Sequence, residues 1–122
     1  VARVSVAVRP ETILQRQLRD YIGKLGFRSV AVPNGSVLAG GQEQRARQMA
    51  SLKRDGLTPG FPDLILFAKG GRVGFIEVKC EGNYQQASQK ECQRWLTEFG
   101  HRYAVCRSID DVTETLREWG WI

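Results

Sequence analysis

Histidine is almost missing from this chain, with His101 alone among 122 residues. Cysteine is scarce too. Cys80, Cys92 and Cys106 are odd in number, lie far apart and form no CxxC pair. That argues against a zinc site and against a disulfide scaffold, so the three read as reduced, mostly buried thiols. No apolar run approaches the roughly eighteen residues that a membrane span needs. The opening stretch, Val1 to Val8, is interrupted by Arg3 and is too short for a signal peptide. There is no internal repeat and no linker long enough to divide the chain. One domain over residues 1–122 is expected, soluble and intracellular, in the cytoplasm of a bacterial cell or, for a viral protein, of the infected host.

What remains is ordinary globular material. Hydrophobic residues make up 42% and charged residues 25%, enough apolar content to exclude a disordered chain. The net charge of +5 suits a polyanionic partner, because phosphate neutralisation is the usual source of non-specific nucleic-acid affinity. Many basic proteins bind no nucleic acid, so this charge matters only beside a site for phosphate chemistry.

Pro10 and Glu11 suit the start of a helix, by fixed φ and by interaction with the helix dipole respectively. Leu14, Leu18, Tyr21, Ile22 and Leu25 continue it at helical spacing, up to a stop at Gly26. A short β-prone run over 27–32 ends in the turn formers Pro33, Asn34 and Gly35, and residues 36–41 read as a loop. From Gln42 to Asp55 runs a polar, helix-prone stretch with Arg45, Arg47, Lys53 and Arg54. Only Ala46, Met49, Ala50 and Leu52 could pack inward, so its charge is either a solvated face or one turned to DNA or a partner. Two strands follow, 63–69 and 72–79, around Gly70-Gly71. After the polar loop Cys80 to Asn83 come a helix from about 86 to 99, a strand over 101–106, and a last helix opened by a Ser108/Asp111 capping box. The order is helix, strand, helix, hairpin, helix, strand, helix, a mixed α/β layer with helices over a central sheet.

The informative residues are Gly60-Phe61-Pro62-Asp63 and Glu77-Val78-Lys79. Two carboxylates can hold a divalent ion, and hard oxygen ligands suit magnesium or manganese. Such an ion supplies Lewis acidity and lowers the pKa of bound water, while a nearby lysine can orient that water or offset negative charge on a phosphate. Residues two apart on a strand share a face, so Glu77 and Lys79 project together. Asp63 must meet them across the hairpin. A two-residue turn at Gly70-Gly71 would put Asp63 opposite Val78, on the wrong face. A three-residue loop, Lys69-Gly70-Gly71, pairs it with Glu77 and brings all three side chains together, with Gly in the left-handed conformation. An odd-length loop or a bulge is therefore predicted.

These segments resemble the VRR-NUC family, a branch of the PD-(D/E)xK nuclease superfamily. The likeness runs from Glu11 to about Trp119 and includes Glu11, the two motifs above, Gln89 in the following helix and the closing Ser108-Ile109-Asp110-Asp111. It implies a restriction-endonuclease-like core, a mixed central sheet flanked by helices. It also implies that Asp63 and Glu77 bind Mg2+ or Mn2+ with the Val78 backbone carbonyl, and that Lys79 serves the attacking water. Glu11 would join the acidic cluster directly or through water, and Gln89 would help position phosphate or solvent. The family often has Leu-Ser where this chain has Gln85 and Gln86. Small members resemble Holliday-junction resolvases, homodimers that cut branched DNA symmetrically, which makes the 42–55 helix or the first helix a candidate dimer surface.

Some readings stay open. Glu11 is also explained by the helix dipole alone. Tyr84 and Trp95 could stack on bases, although single aromatics are more often packing groups. Against a branch-selective DNA endonuclease stand a less selective nickase or restriction-like enzyme, and a nucleic-acid-binding module that does not cut. No small-molecule substrate and no membrane partner are expected.

Overall fold

A computed structural model describes residues 8–33 and 38–122. The expected turn at Asn34-Gly35 and the first part of the loop over 36–41 lie outside the described residues, as does the segment before Val8. The element order is as the sequence predicts: α1 (Pro10–Lys24), β1 (Arg28–Ala31), α2 (Gln42–Arg54), β2 (Leu64–Ala68), β3 (Arg72–Val78), α3 (Ala87–Glu98), β4 (Arg102–Cys106) and α4 (Ile109–Glu118). Predicted boundaries agree to within a residue or two. Pro10 stands at the first helical position of α1, and Gly26 beyond its end has φ of 92°. Ser108 caps α4 by accepting from the Asp111 N–H.

The four strands lie in chain order, β1-β2-β3-β4. The first two pairings are antiparallel and β3 with β4 is parallel, so the sheet is mixed. A parallel neighbour needs a crossover, and α3 supplies it. β3 has a neighbour on each side, and its stretch from Gly74 to Val78 is buried throughout.

One face of the sheet carries the core. Leu64 and Leu66 of β2, Ile76 and Val78 of β3, and Cys106 of β4 meet Leu18 and Ile22 of α1 and Val112 and Leu116 of α4. Trp119 and Trp121 close this cluster, and Trp119 lies so near Gly74 that an added Cβ would stand 2.3 Å from its ring. The strand residues of that face are even-numbered; the odd-numbered ones, Asp63, Phe75 and Glu77, face the other way, with Lys79 following just past β3. Over β3 and β4 that second face is covered by α3, whose Trp95 packs beside Phe61 at 6.2 Å between ring centroids. Phe61 in turn meets Phe75 edge-on at 5.7 Å.

α2 differs from the other helices. It buries no residue, and it packs against no other helix or strand among the described residues. Met49 and Leu52 are half-covered, while Ala46 and Ala50 are exposed, so of the four candidates for inward packing none reaches the core. Cys92 and Cys106 are buried, Cys80 is half-buried, and all three are free thiols. No helix among the described residues is long and apolar enough to cross a membrane.

Candidate active site

The hairpin loop has three residues. Ala68 pairs with Arg72, which leaves Lys69, Gly70 and Gly71 between the strands, with φ of 85° and 75° at the two glycines. The same register, from Ala68↔Arg72 to Leu64↔Ile76, runs on to set Asp63 against Glu77. The predicted odd-length loop is therefore present, and Asp63 and Glu77 come onto one face, the side away from the core.

The backbone around them is unusual in a way Pro62 explains. Lys79 donates its N–H to the Cys106 carbonyl of β4, so the N–H and C=O of Val78 point to the β2 side. The residue opposite Val78 is Pro62, which has no N–H to donate. The Val78 N–H is taken instead by Oδ2 of Asp63 at 2.8 Å. The Val78 carbonyl points to the same side and, opposite Pro62, has no ladder donor facing it. Asp63 is held at its other end as well, its carbonyl accepting from the Val32 N–H at 2.8 Å.

Glu77 is only 2% exposed. Its Oε1 accepts from Nε2 of Gln89 at 2.8 Å, and its Oε2 is a buried oxygen with no donor. Burial raises the pKa of Glu77 to about 8, with Asp63 beside it adding to the shift and Lys79 opposing it. Burial likewise raises that of Asp63, against the pull of the Val78 N–H. Two carboxyls pressed together out of water cannot both ionise freely, and a proton bridging them or a cation would satisfy the orphaned oxygen.

Lys79 is 7% exposed and makes no ion pair within 4.0 Å among the described residues. Its charge is nonetheless felt by both carboxyls. Glu11, half-buried at the start of α1, is felt by both as a negative charge. No three His, Cys, Asp or Glu side chains among the described residues stand close enough together to hold a metal ion by themselves. Asp63 and Glu77 are the carboxylates that meet here, with the Val78 carbonyl on the adjoining backbone and Glu11 near enough for its charge to reach both.

Gln89 is fixed from both ends. Its Oε1 accepts the Gln86 N–H at 2.8 Å, which turns its NH2 towards Glu77. One N–H of this amide thus orients Glu77. Gln85 and Gln86 both have local jobs: Gln86 precedes α3 as its N-cap, and Nε2 of Gln85 donates to Tyr103 Oη and Gln93 Oε1, each at 3.0 Å. Burial, with the negative charge of Glu77 second, raises the pKa of Tyr103. Sequence reasoning did not find Tyr103, since a tyrosine in a short strand carries no signal of its own.

Gly60 explains why the first motif begins with glycine. Its φ is 79°, and an added Cβ would fall 2.3 Å from the Ser88 carbonyl carbon and 2.6 Å from the Gln89 nitrogen. The loop before Asp63 therefore touches the first turn of α3, next to the glutamine that holds Glu77. A side chain here would push the two apart.

Known proteins share this architecture. A solved structure of a VRR-NUC domain superposes with a TM-score of 0.64 at 20% identity, covering 91% of this chain and 97% of the other. A second, a VRR-NUC domain protein, gives 0.61 at 26% identity, covering 93% and 90%. No curated protein matches. The sequence pattern of the VRR-NUC domain matches residues 13–110, a shorter span than Glu11 to Trp119, with Glu11 just before it and Asp111 just after. With most of its length matched and its nuclease-type fold shared, this chain belongs to the VRR-NUC family.

Proposed function

We propose that the protein is a divalent-metal-dependent endonuclease that hydrolyses phosphodiester bonds in DNA. The observation that carries this reading is the Asp63–Glu77 pair, with a buried carboxylate oxygen that has no protein donor. Asp63, Glu77 and the Val78 carbonyl are hard oxygen donors of the kind Mg2+ or Mn2+ takes, and Glu11 would reach such an ion through water. When bound, the ion would supply Lewis acidity and a water of lowered pKa.

The chain's own residues do the rest. Asp63 is held in place by the Val78 N–H, and Glu77 by Gln89, so neither carboxylate needs to reorganise. Lys79, buried and in no ion pair among the described residues, stands beside them to orient a water and offset charge gathering on the phosphate. The net charge of +5 draws the polyanion in.

The finer part of the proposal is the substrate. We take it to be branched DNA, such as a four-way junction, cut by a homodimer whose two sites nick opposite strands. The exposed α2, which carries Arg45, Arg47, Lys53 and Arg54, buries no residue and packs against no other helix or strand among the described residues, fits a surface for DNA or a second copy. The test compares a four-way junction with a plain duplex of equal length, each with manganese or magnesium. The wild type is expected to cut the junction at least about tenfold faster, and Asp63→Ala to cut neither. Equal products from wild type and Asp63→Ala would remove the nuclease reading. Equal rates on the two DNAs would remove only the branch preference.

A further inference from the structure

One aromatic on the loop between Lys79 and α3 is not used for packing. Tyr84 is 77% exposed, and its hydroxyl makes no hydrogen bond among the described residues. Trp95, by contrast, is held between Phe61 and Phe99, with ring centroids 6.2 and 5.7 Å away. Tyr84 lies in the loop between Lys79 and Gln89, so the chain segments on either side of it lead directly into the two ends of the site.

The loop is built to hold that ring still. Nη1 of Arg107 donates to the Cys80 carbonyl at 2.8 Å and also to the Asn83 carbonyl. Asn83 closes a turn onto Cys80, its N–H 3.1 Å from that oxygen. Gln85, next in sequence, is tied to Tyr103 and Gln93. The Arg107 guanidinium then lies 5.4 Å from the Tyr84 ring centroid, against its π system. Arg107 itself is anchored where β4 meets α4, its N–H donating to Oδ2 of Asp111 at 2.8 Å. Each neighbour of Tyr84 is fixed, while the ring is left in water.

We propose that Tyr84, braced by Arg107, stacks on an unpaired nucleobase next to the phosphate at the Asp63–Glu77 site. This rests on the nuclease reading above and adds to it a contact that chooses between substrates. A base inside a duplex has both faces covered by its neighbours, so only an unpaired or splayed base offers one to the ring. Such stacking tolerates any base and reads strand opening, the feature that separates a branch point from continuous duplex. The braced guanidinium adds a positive charge beside the neighbouring phosphate.

Two DNAs of equal length test this, a splayed-arm duplex and a fully paired one, each with 5-iodouracil at the position beside the branch or its paired equivalent. Binding is measured in EDTA, where no cutting intervenes. Tyr84→Ala is expected to weaken binding of the splayed DNA about tenfold, the scale of one lost base stack, and that of the paired DNA less than about twofold. Tyr84→Phe should bind as the wild type, because the ring and not the hydroxyl makes the contact. Irradiation should join the unpaired iodouracil to Tyr84, located by mass spectrometry, and leave the paired one unjoined. Unchanged binding in Tyr84→Ala, equal weakening on both DNAs, or an adduct at some other residue would overturn the proposal. Parallel incubations with manganese report on the nuclease reading by itself: a wild type that cuts neither DNA would sink that reading, while the binding and crosslinking results still decide the role of Tyr84.

Discussion

Glu77→Gln should abolish cleavage and, at the same time, make the protein harder to unfold at neutral and alkaline pH. The substitution keeps the shape of the side chain, and an amide oxygen can still accept from Nε2 of Gln89. The new NH2 would stand where the orphaned Oε2 stands now and could donate to Asp63. What disappears is a negative charge held out of water. The folded-state pKa of Glu77 is raised from 4.5 to about 8, so the folded protein binds this proton more tightly than the unfolded chain does. Stability from that source is fully present below about pH 4.5 and drains away as pH climbs through about 8. Relative to the wild type, the variant should be near-equal at pH 4.5 and more stable above pH 8 by on the order of 3 kcal/mol. Urea unfolding of both proteins at pH 4.5, 7 and 9 measures this directly. Cleavage, by contrast, should fall by at least about a thousandfold, because the charge on which metal binding depends has gone. A variant less stable than wild type at pH 9, or one that still cuts, would contradict the account. This opposition between stability and activity is expected wherever like charges are pressed together for use.

Lys79→Met is the second large effect. Methionine has similar length, so the buried space that Lys79 occupies should still be filled, and the fold should persist. Loss of the ammonium should lower kcat by about 10²- to 10⁴-fold, the usual scale for a group that assists proton transfer or faces developing charge. A second consequence separates this from a general loss of order. Lys79 lowers the pKa of both Asp63 and Glu77, so without it both carboxyls should hold their protons to higher pH. The rising limb of the pH–rate profile should move to the alkaline side of the wild-type limb. Single-turnover rates between pH 6 and 10 would show it. An unchanged kcat, or a profile that falls in height without moving, would take Lys79 out of the site.

The hairpin shows how much the sequence carries and where it stops. Alternation on both strands, with the requirement that Asp63 meet Glu77 and Lys79, called for an odd-length loop or a bulge at the Gly-Gly pair, because an even-length loop would have put Asp63 on the core face; the loop has three residues. Once that requirement is set, the loop's parity follows from local periodicity. The same holds for α1, with Pro10 at its start, and for α4, with its Ser108 cap. Contacts between distant segments were not readable in this way. Gln89 was expected beside the site, and it lies there, but nothing local indicated that its amide would bridge the Gln86 N–H and Glu77, a partner twelve residues back. Gly60 carries a positive φ that its sequence context did not signal, and its close approach to Ser88 became visible only once α3 was in place. Pro62 was noted only as part of a motif; its missing N–H acquires meaning from standing opposite Val78. Charge patterning on α2 left two readings open, and the helix is compatible with both, since it packs on no other helix or strand among the described residues.

A calorimetric titration of manganese into the metal-free protein reaches the core of the matter. Wild type should take up one ion per chain and release a proton as it does so below about pH 8, since Glu77, with its pKa raised to about 8, must give its proton up. Asp63→Asn and Glu77→Gln should each weaken that uptake more than about tenfold, and the double variant should show none. Manganese binding of equal strength in the wild type and the double variant would mean that these two side chains are not where the ion sits.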